Sequence, residues 1–264
     1  MGLNVVLLGY GAIGRSLHGM LARHPDRIAV IGVLDGRAPK AMESAAGDDA
    51  SVSLPVLDLA TALERADVIA ECASPAAVRE LGPEIIASLG ALVDERLRGL
   101  LLERGPGRAY LTTGAIGGLD LIRASAGTID AIELDTRKPP AALLHSGLPD
   151  SLRSRIAAAG SAGEPCTAFS GSVERAVELF PANINVAAAL ALAAGDFSRV
   201  HVTITADPAA TRTRHGIRIR GNGGSHDLVI ENAPDPDNPA TSALTARAMA
   251  SGLLRLAGVG PHFI

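Results

Sequence analysis

The chain is poor in aromatic side chains: of 264 residues, two are tyrosine, four are phenylalanine and none is tryptophan, and the net charge is −4. This excludes the basic, aromatic-interleaved surface that nucleic acid requires, so no nucleic-acid partner is expected. Cysteine is scarce as well. Cys72 and Cys166 lie far apart without C-x-x-C spacing, so neither a metal site nor a disulfide framework is expected, and both read as small core residues in a reducing compartment. The longest uninterrupted apolar run, Val186 to Ala194, is too short to cross a bilayer, so no membrane partner is expected. No basic residues precede the first apolar stretch, which runs straight into a glycine turn and therefore reads as a strand rather than a signal peptide. Lysine is the last scarcity: arginine is everywhere, while Lys occurs only at Lys40 and Lys138. The expectation is a cytoplasmic enzyme of one large domain or two ordinary ones.

What the chain does have is concentrated in its first thirty-five residues. An apolar run, Val5 to Leu8, meets Gly9, Gly11, Ala12, Ile13 and Gly14, and a second run, Ile28 to Leu34, ends in Asp35. Gly9 suits the tight turn out of a strand, Gly11 a close approach of backbone to a pyrophosphate, and Gly14 close packing of helix on sheet. Apolar Ile13, Leu17, Met20 and Leu21 continue at helical spacing, so a helix N-terminus faces the phosphates with unpaired N–H groups. Asp35 lies at about the ~20-residue distance expected of a ribose-binding carboxylate, which favours NAD and disfavours the 2′-phosphate of NADP. Arg37, two residues on, softens that choice, so NADP stays open.

The first half alternates strand and helix as a doubly wound, mostly parallel sheet demands. Asp58 caps a helix through Leu59, Leu63 and Ala66, Asp67 to Cys72 reads as a buried strand, and Ser74-Pro75 opens the next helix. The loop Cys72, Ala73 and Ser74 thus sits at a strand C-terminal end, the edge where open α/β sheets bind ligands. After about residue 110 the texture changes to that of a mixed sheet in an α+β domain. Asp130 to Asp135, Val200 to Thr205, Gly216 to Arg220 and Asp227 to Ile230 are strand-like, the last two joined at Gly221-Asn-Gly-Gly224, whose composition suits positive φ. Helices are expected at Val173 to Phe180, Val186 to Ala194 and Thr241 to Leu256.

His215 falls in phase with Ile217 and Ile219, on the covered face of its strand, with Arg214, Arg218 and Arg220 opposite. A polar ring there is either a core histidine satisfied by a carbonyl or a catalytic group, and phase alone leaves both open. His226 shares the phase but sits near the turn, on the order of 13 Å away at ~3.3 Å per residue, and His201 is out of phase. Lys138, at a strand end, is either a solvated charge or a compact cation for a substrate carboxylate. Asn183 and Asn185 are either helix caps or, for Asn185, a partner for the nicotinamide carboxamide.

The blocks Thr113-Gly-Ala-Ile-Gly-Gly-Leu-Asp120, Thr136-Arg-Lys-Pro-Pro140, Phe180-Pro-Ala-Asn-Ile-Asn-Val-Ala187, Ala206-Asp-Pro208, Arg214-His-Gly-Ile217 and Asn238-Pro-Ala-Thr-Ser242 stand in an order that resembles the L-aspartate dehydrogenase family. The resemblance covers nearly the whole chain. It implies oxidation of L-aspartate with NAD or NADP to iminosuccinate, which hydrolyses to oxaloacetate or feeds NAD biosynthesis. It implies a catalytic role for His215 and nicotinamide cofactor contacts at Ala115 and Asn185. It also implies that the last helix returns to the nucleotide domain, which is expected over 1–110 and 234–264, with a substrate and dimerisation domain over 111–233 and a homodimer. Between Leu81 and Leu97 the chain departs from the family pattern, with Ser88-Leu-Gly-Ala-Leu92 following the helix almost at once where a longer passage with a further strand is expected. Two other readings stand beside this one: a related two-domain dehydrogenase or reductase acting on another small carboxylated substrate, and a non-catalytic dinucleotide sensor.

Overall fold

The computed structural model describes residues 2–35, 54–73, 110–180, 185–236 and 241–260. They fall in two compact units, one holding the described residues up to Tyr110 together with those from Ala246 on, the other Leu111–Thr245. The expected helix start at Ser74-Pro75, the passage from Leu81 to Leu97, Arg37 and Asn183 all lie outside the described residues.

In the first unit, β1 (Leu3–Leu8) is flanked by β2 (Ile28–Leu34) and β3 (Val68–Glu71), all parallel, in the order β2-β1-β3. The strand β1 is apolar at consecutive positions because both of its faces are covered. On one face Val5 and Leu7 meet Leu17 and Leu21 of α1 (Ala12–Leu21). On the other, Val6 and Leu8 meet Leu34 and Ala62 of α2 (Leu59–Arg65). Asp58 caps α2 by accepting the Thr61 N–H at 2.8 Å, as its position ahead of the apolar residues predicts. Such a cap contributes about 1 kcal/mol.

The second unit is built on a five-stranded mixed sheet, ordered β5 (Cys166–Ser172), β6 (Val200–Ala206), β4 (Ile129–Lys138), β7 (Thr213–Gly221), β8 (Gly224–Asn232). Only β4 and β6 run parallel. Along β4 the side chains alternate: Ile132, Leu134, Thr136 and Lys138 are buried, while Glu133, Asp135 and Arg137 lie on the less covered face. The buried face is covered by α4 (Asp150–Ala162), α5 (Val173–Leu179) and α6 (Asn185–Ala194), and α6 also packs on α3 (Leu119–Ser125). The run through α6 is apolar on every side because it is buried on every side. The mostly parallel sheet of the first unit and the mixed sheet of the second are the α/β plus α+β arrangement that the sequence texture predicts.

The β7–β8 hairpin corrects one expectation. Of the four residues Gly221 to Gly224, only Gly224 has positive φ, at +139°. The other two glycines answer a need for space: a Cβ on Gly223 would strike the Thr128 hydroxyl, and one on Gly221 the Thr128 and Ile129 backbone. The last helix, α7 (Ala243–Leu256), places Ala250 and Leu253 in the apolar cluster with Val5, Leu7, Leu17 and Leu21. The loop before it, within the second unit, is closed by the Asp235 N–H donating to the Thr241 carbonyl at 2.8 Å.

Candidate active site

Three strand ends meet at the carboxyl edge of the first sheet. The Gly9 N–H donates to the Leu34 carbonyl and the Cys72 N–H to the Leu8 carbonyl, each at 2.8 Å, so the ends of β1, β2 and β3 are stitched side by side. Gly9 has φ +89°, and a Cβ there would come within 2.7 Å of the Ala73 Cβ. A Cβ on Gly14 would approach the Gly9 carbonyl oxygen to 2.5 Å. These two glycines are therefore required by the close packing of turn, helix and Ala73 loop. Gly11 stands at the N-cap of α1 with no side-chain cap and no acid in the first turn, which leaves the helix N-terminus open to an anion. Ala12 and Ile13 form that first turn and are half-buried.

Asp35 is half-buried at the end of β2, and its Oδ2 accepts the Tyr10 N–H at 3.1 Å. The residue between the first two glycines thus orients the carboxylate expected to meet a ribose. Tyr10 is itself held, through its hydroxyl, against His18 Nδ1 at 2.8 Å. Cys72 is buried and its thiol pKa is raised, by burial first and by the neighbouring Glu71 charge second. Glu71 accepts the Ala73 N–H at 2.8 Å and has a carboxyl pKa raised by burial, a contact that fixes the loop where Cys72 and Ala73 sit. Ser74 lies outside the described residues.

The second unit carries a different cluster. His215 on β7 and Thr136 on β4 are direct cross-strand partners, and their side chains meet at 2.9 Å between Thr136 Oγ1 and His215 Nδ1. Both are buried, at 3% and 4% exposure respectively, as is Lys138 at 6%, two residues along β4 on the same face. Burial, and then the positive charge of Lys138, push the His215 pKa down to about 4. Burial alone brings Lys138 down to about 8. At neutral pH the pair is a neutral imidazole beside a largely protonated amine.

Ala115 is anchored beside the start of β7. Its carbonyl accepts from Asn232 Nδ2 at 2.7 Å, and Asn232 is paired with Thr213, two residues from His215. Asn185 is exposed in the first turn of α6, with no hydrogen bond among the described residues to His215 or Lys138. His226 pairs with Ile219 near the turn end of the hairpin, away from His215, and His201 is exposed against Ser170. Among the described residues no group of His, Cys, Asp and Glu is arranged to hold a metal ion, and no helix is long and apolar enough to cross a membrane.

Asn232 belongs to no motif, and Thr136, although it opens the Thr136-Arg-Lys-Pro-Pro140 block, gives no sign there of a partner, since a threonine within a strand and an asparagine at its end are ordinary. The strand-end position of Asn232 and its pairing partner become visible only with register.

Comparisons with known proteins agree across the whole length. Residues 120–256 match the model of the aspartate dehydrogenase C-terminal family, and residues 9–104 match that of the homoserine dehydrogenase NAD binding domain. The L-aspartate dehydrogenase of Methanosarcina acetivorans is 34% identical, over 96% of this chain and 97% of its own. That of Thermotoga sp. (strain RQ2) is 38% identical over 71% of this chain and 76% of its own. The crystal structure of aspartate dehydrogenase from Thermotoga maritima superposes with a TM-score of 0.69 at 27% identity, covering 100% of this chain and 99% of that one. With a glycine turn and acidic strand end in one unit, a buried histidine–lysine pair in the other, and relatives matched end to end, the chain belongs to the L-aspartate dehydrogenase family.

Proposed function

We propose that the chain carries out NAD(P)-dependent oxidative deamination of L-aspartate to iminosuccinate, with the first unit holding the dinucleotide and the second the substrate. The observation that carries this reading is the buried pair His215 and Lys138, a neutral base beside a cation on an otherwise apolar sheet face. When bound, NAD supplies the hydride acceptor for C2 of aspartate. Gly9, Gly11, Ala12, Ile13 and Gly14 would hold its pyrophosphate, Asp35 its adenosine ribose, and Cys72 and Ala73, with Ser74, the strand edge beside it. Ala115 and Asn185 would meet the nicotinamide end.

Lys138 holds a substrate carboxylate as a compact ammonium. His215 takes a proton from the substrate ammonium or from the water that attacks the imine, which its depressed pKa allows at neutral and alkaline pH. The product hydrolyses to oxaloacetate or supplies NAD biosynthesis, and a cytoplasmic setting suits an enzyme that draws on the NAD(P) pool. A homodimer is supported by the face of the second sheet opposite its helices, which exposes Val229 at 59% amid the Arg218–Glu133 and Arg220–Asp227 pairs. NADH formation on adding L-aspartate at alkaline pH tests the activity. NAD binding without turnover would support the sensor reading, and turnover only with another acid in a substrate panel would support the related dehydrogenase.

A further inference from the structure

We propose that Thr136 is a positioning residue for His215: its hydroxyl oxygen accepts the Nδ1–H of the imidazole, fixes one tautomer, and leaves Nε2 as the nitrogen that exchanges a proton with the substrate. The inference rests on the base role proposed for His215 and adds a residue and an atom to it.

The geometry is set by the sheet. Thr136 and His215 face each other across the antiparallel β4–β7 pair, where facing side chains share a side at about 4.5–5.5 Å between Cβ atoms. Threonine is stiff at χ1, so in this register its hydroxyl is held against the ring at 2.9 Å rather than sampling it. The backbone groups of both strands are engaged in the ladder, so the contact belongs to the side chains alone. Among the described residues nothing else bonds the ring.

A neutral imidazole has one donor and one acceptor nitrogen, and its partner decides which is which. If Nδ1 donates to Thr136, Nε2 keeps its lone pair and can act as a base. Lys138, charged and on the same face, opposes a second proton on the resting ring. When Nε2 takes the substrate proton the ring becomes a cation, and the Nδ1–H bond to Oγ1 becomes charge-assisted and stronger. Thr136 therefore contributes more to the proton-transfer step than to the resting protein, and its loss should lower kcat with little change in KM.

Two variants of the full chain test this. Thr136→Val keeps the shape and removes the hydroxyl, and is expected to lower kcat about 10- to 100-fold while KM for aspartate and Kd for NAD stay within about twofold. Thr136→Ser restores the oxygen and should recover most of the rate. The independent readout is the 15N spectrum of histidine-labelled protein, where His215 Nδ1 should be protonated and Nε2 bare in the wild type, and the two should mix in Thr136→Val. Wild-type kcat in Thr136→Val, equal loss in Thr136→Ser, or a bare Nδ1 in the wild type each overturns the proposal. Should Thr136→Val not fold, Thr136→Ser and the wild-type spectrum still decide it. Wild-type turnover in His215→Asn, run alongside, overturns the base reading itself, and with it any catalytic worth of Thr136, whatever the spectrum shows.

Discussion

At the scale of single residues, the two sites divide the work so that each is open to its own substitution. His215→Asn should leave NAD binding nearly intact, because the glycine turn and Asp35 belong to the other unit. Turnover should fall about 10²–10⁴-fold, the usual contribution of a positioned acid–base group. Titrating NAD and measuring kcat in parallel checks this, with His226→Asn as the control, since His226 is in phase but lies near the hairpin turn. If His226→Asn is the variant that loses turnover, the assignment is wrong. Asp35→Ser should move the NADP-to-NAD ratio of kcat/KM upward by about tenfold or more, roughly 1.4 kcal/mol, by removing the charge that repels a 2′-phosphate. An unchanged ratio would remove Asp35 from the ribose site. In Asp35→Ser the shorter side chain also loses the tether to the Tyr10 N–H, so NAD affinity should drop as NADP affinity rises.

At the scale of elements, legibility followed periodicity. The strands β1, β2, β6, β7 and β8 were readable because burial on one or both faces leaves alternation or a continuous apolar run in the letters. The glycine turn with Asp35 was readable because close backbone approach leaves only one choice of residue. Helix α4 left almost no trace: only Leu152, Ile156 and Ala159 of its thirteen residues are buried, too narrow a stripe to stand out among serines and arginines. Strand β5 was hidden for a related reason, being an edge strand with a single buried residue, Ala168. The Thr136 contact was out of reach because it joins residues 79 apart in sequence, and no local pattern records register across that distance. The last helix permits a test at this scale. Leu253 is 6% exposed within the first unit's core, so Leu253→Ala should cost about 2–5 kcal/mol in urea unfolding, while an unchanged midpoint would mean that α7 closes nothing.

At the scale of the whole molecule, the buried bases tie stability to pH. His215 has a folded pKa of about 4 against an ordinary value of 6.5, and Lys138 about 8 against 10.5. Both are bases made weaker by folding. The unfolded chain therefore binds more protons than the folded one between pH 4 and 6.5, and again between pH 8 and 10.5, and stability rises with pH across both windows. Acidification from pH 6.5 to 4 should cost on the order of 3 kcal/mol through His215 alone. Urea midpoints at pH 4.5 and 7 should converge in His215→Asn relative to wild type, and an undiminished difference would place the acid sensitivity elsewhere.

The return of α7 to the first unit also governs the order in which the protein is made. Leu7 emerges from the ribosome early, yet Ala250 and Leu253, which share its cluster, are synthesised only after the entire five-stranded sheet. At ~5–20 residues per second the first strands wait on the order of ten seconds or more with one side of their core unfilled. The second unit, whose elements are contiguous in sequence, has no such delay. A released chain that ends before Ala243 should accordingly present a protease-resistant second unit and a digestible first one, and the dinucleotide site should be the last part of the protein to mature.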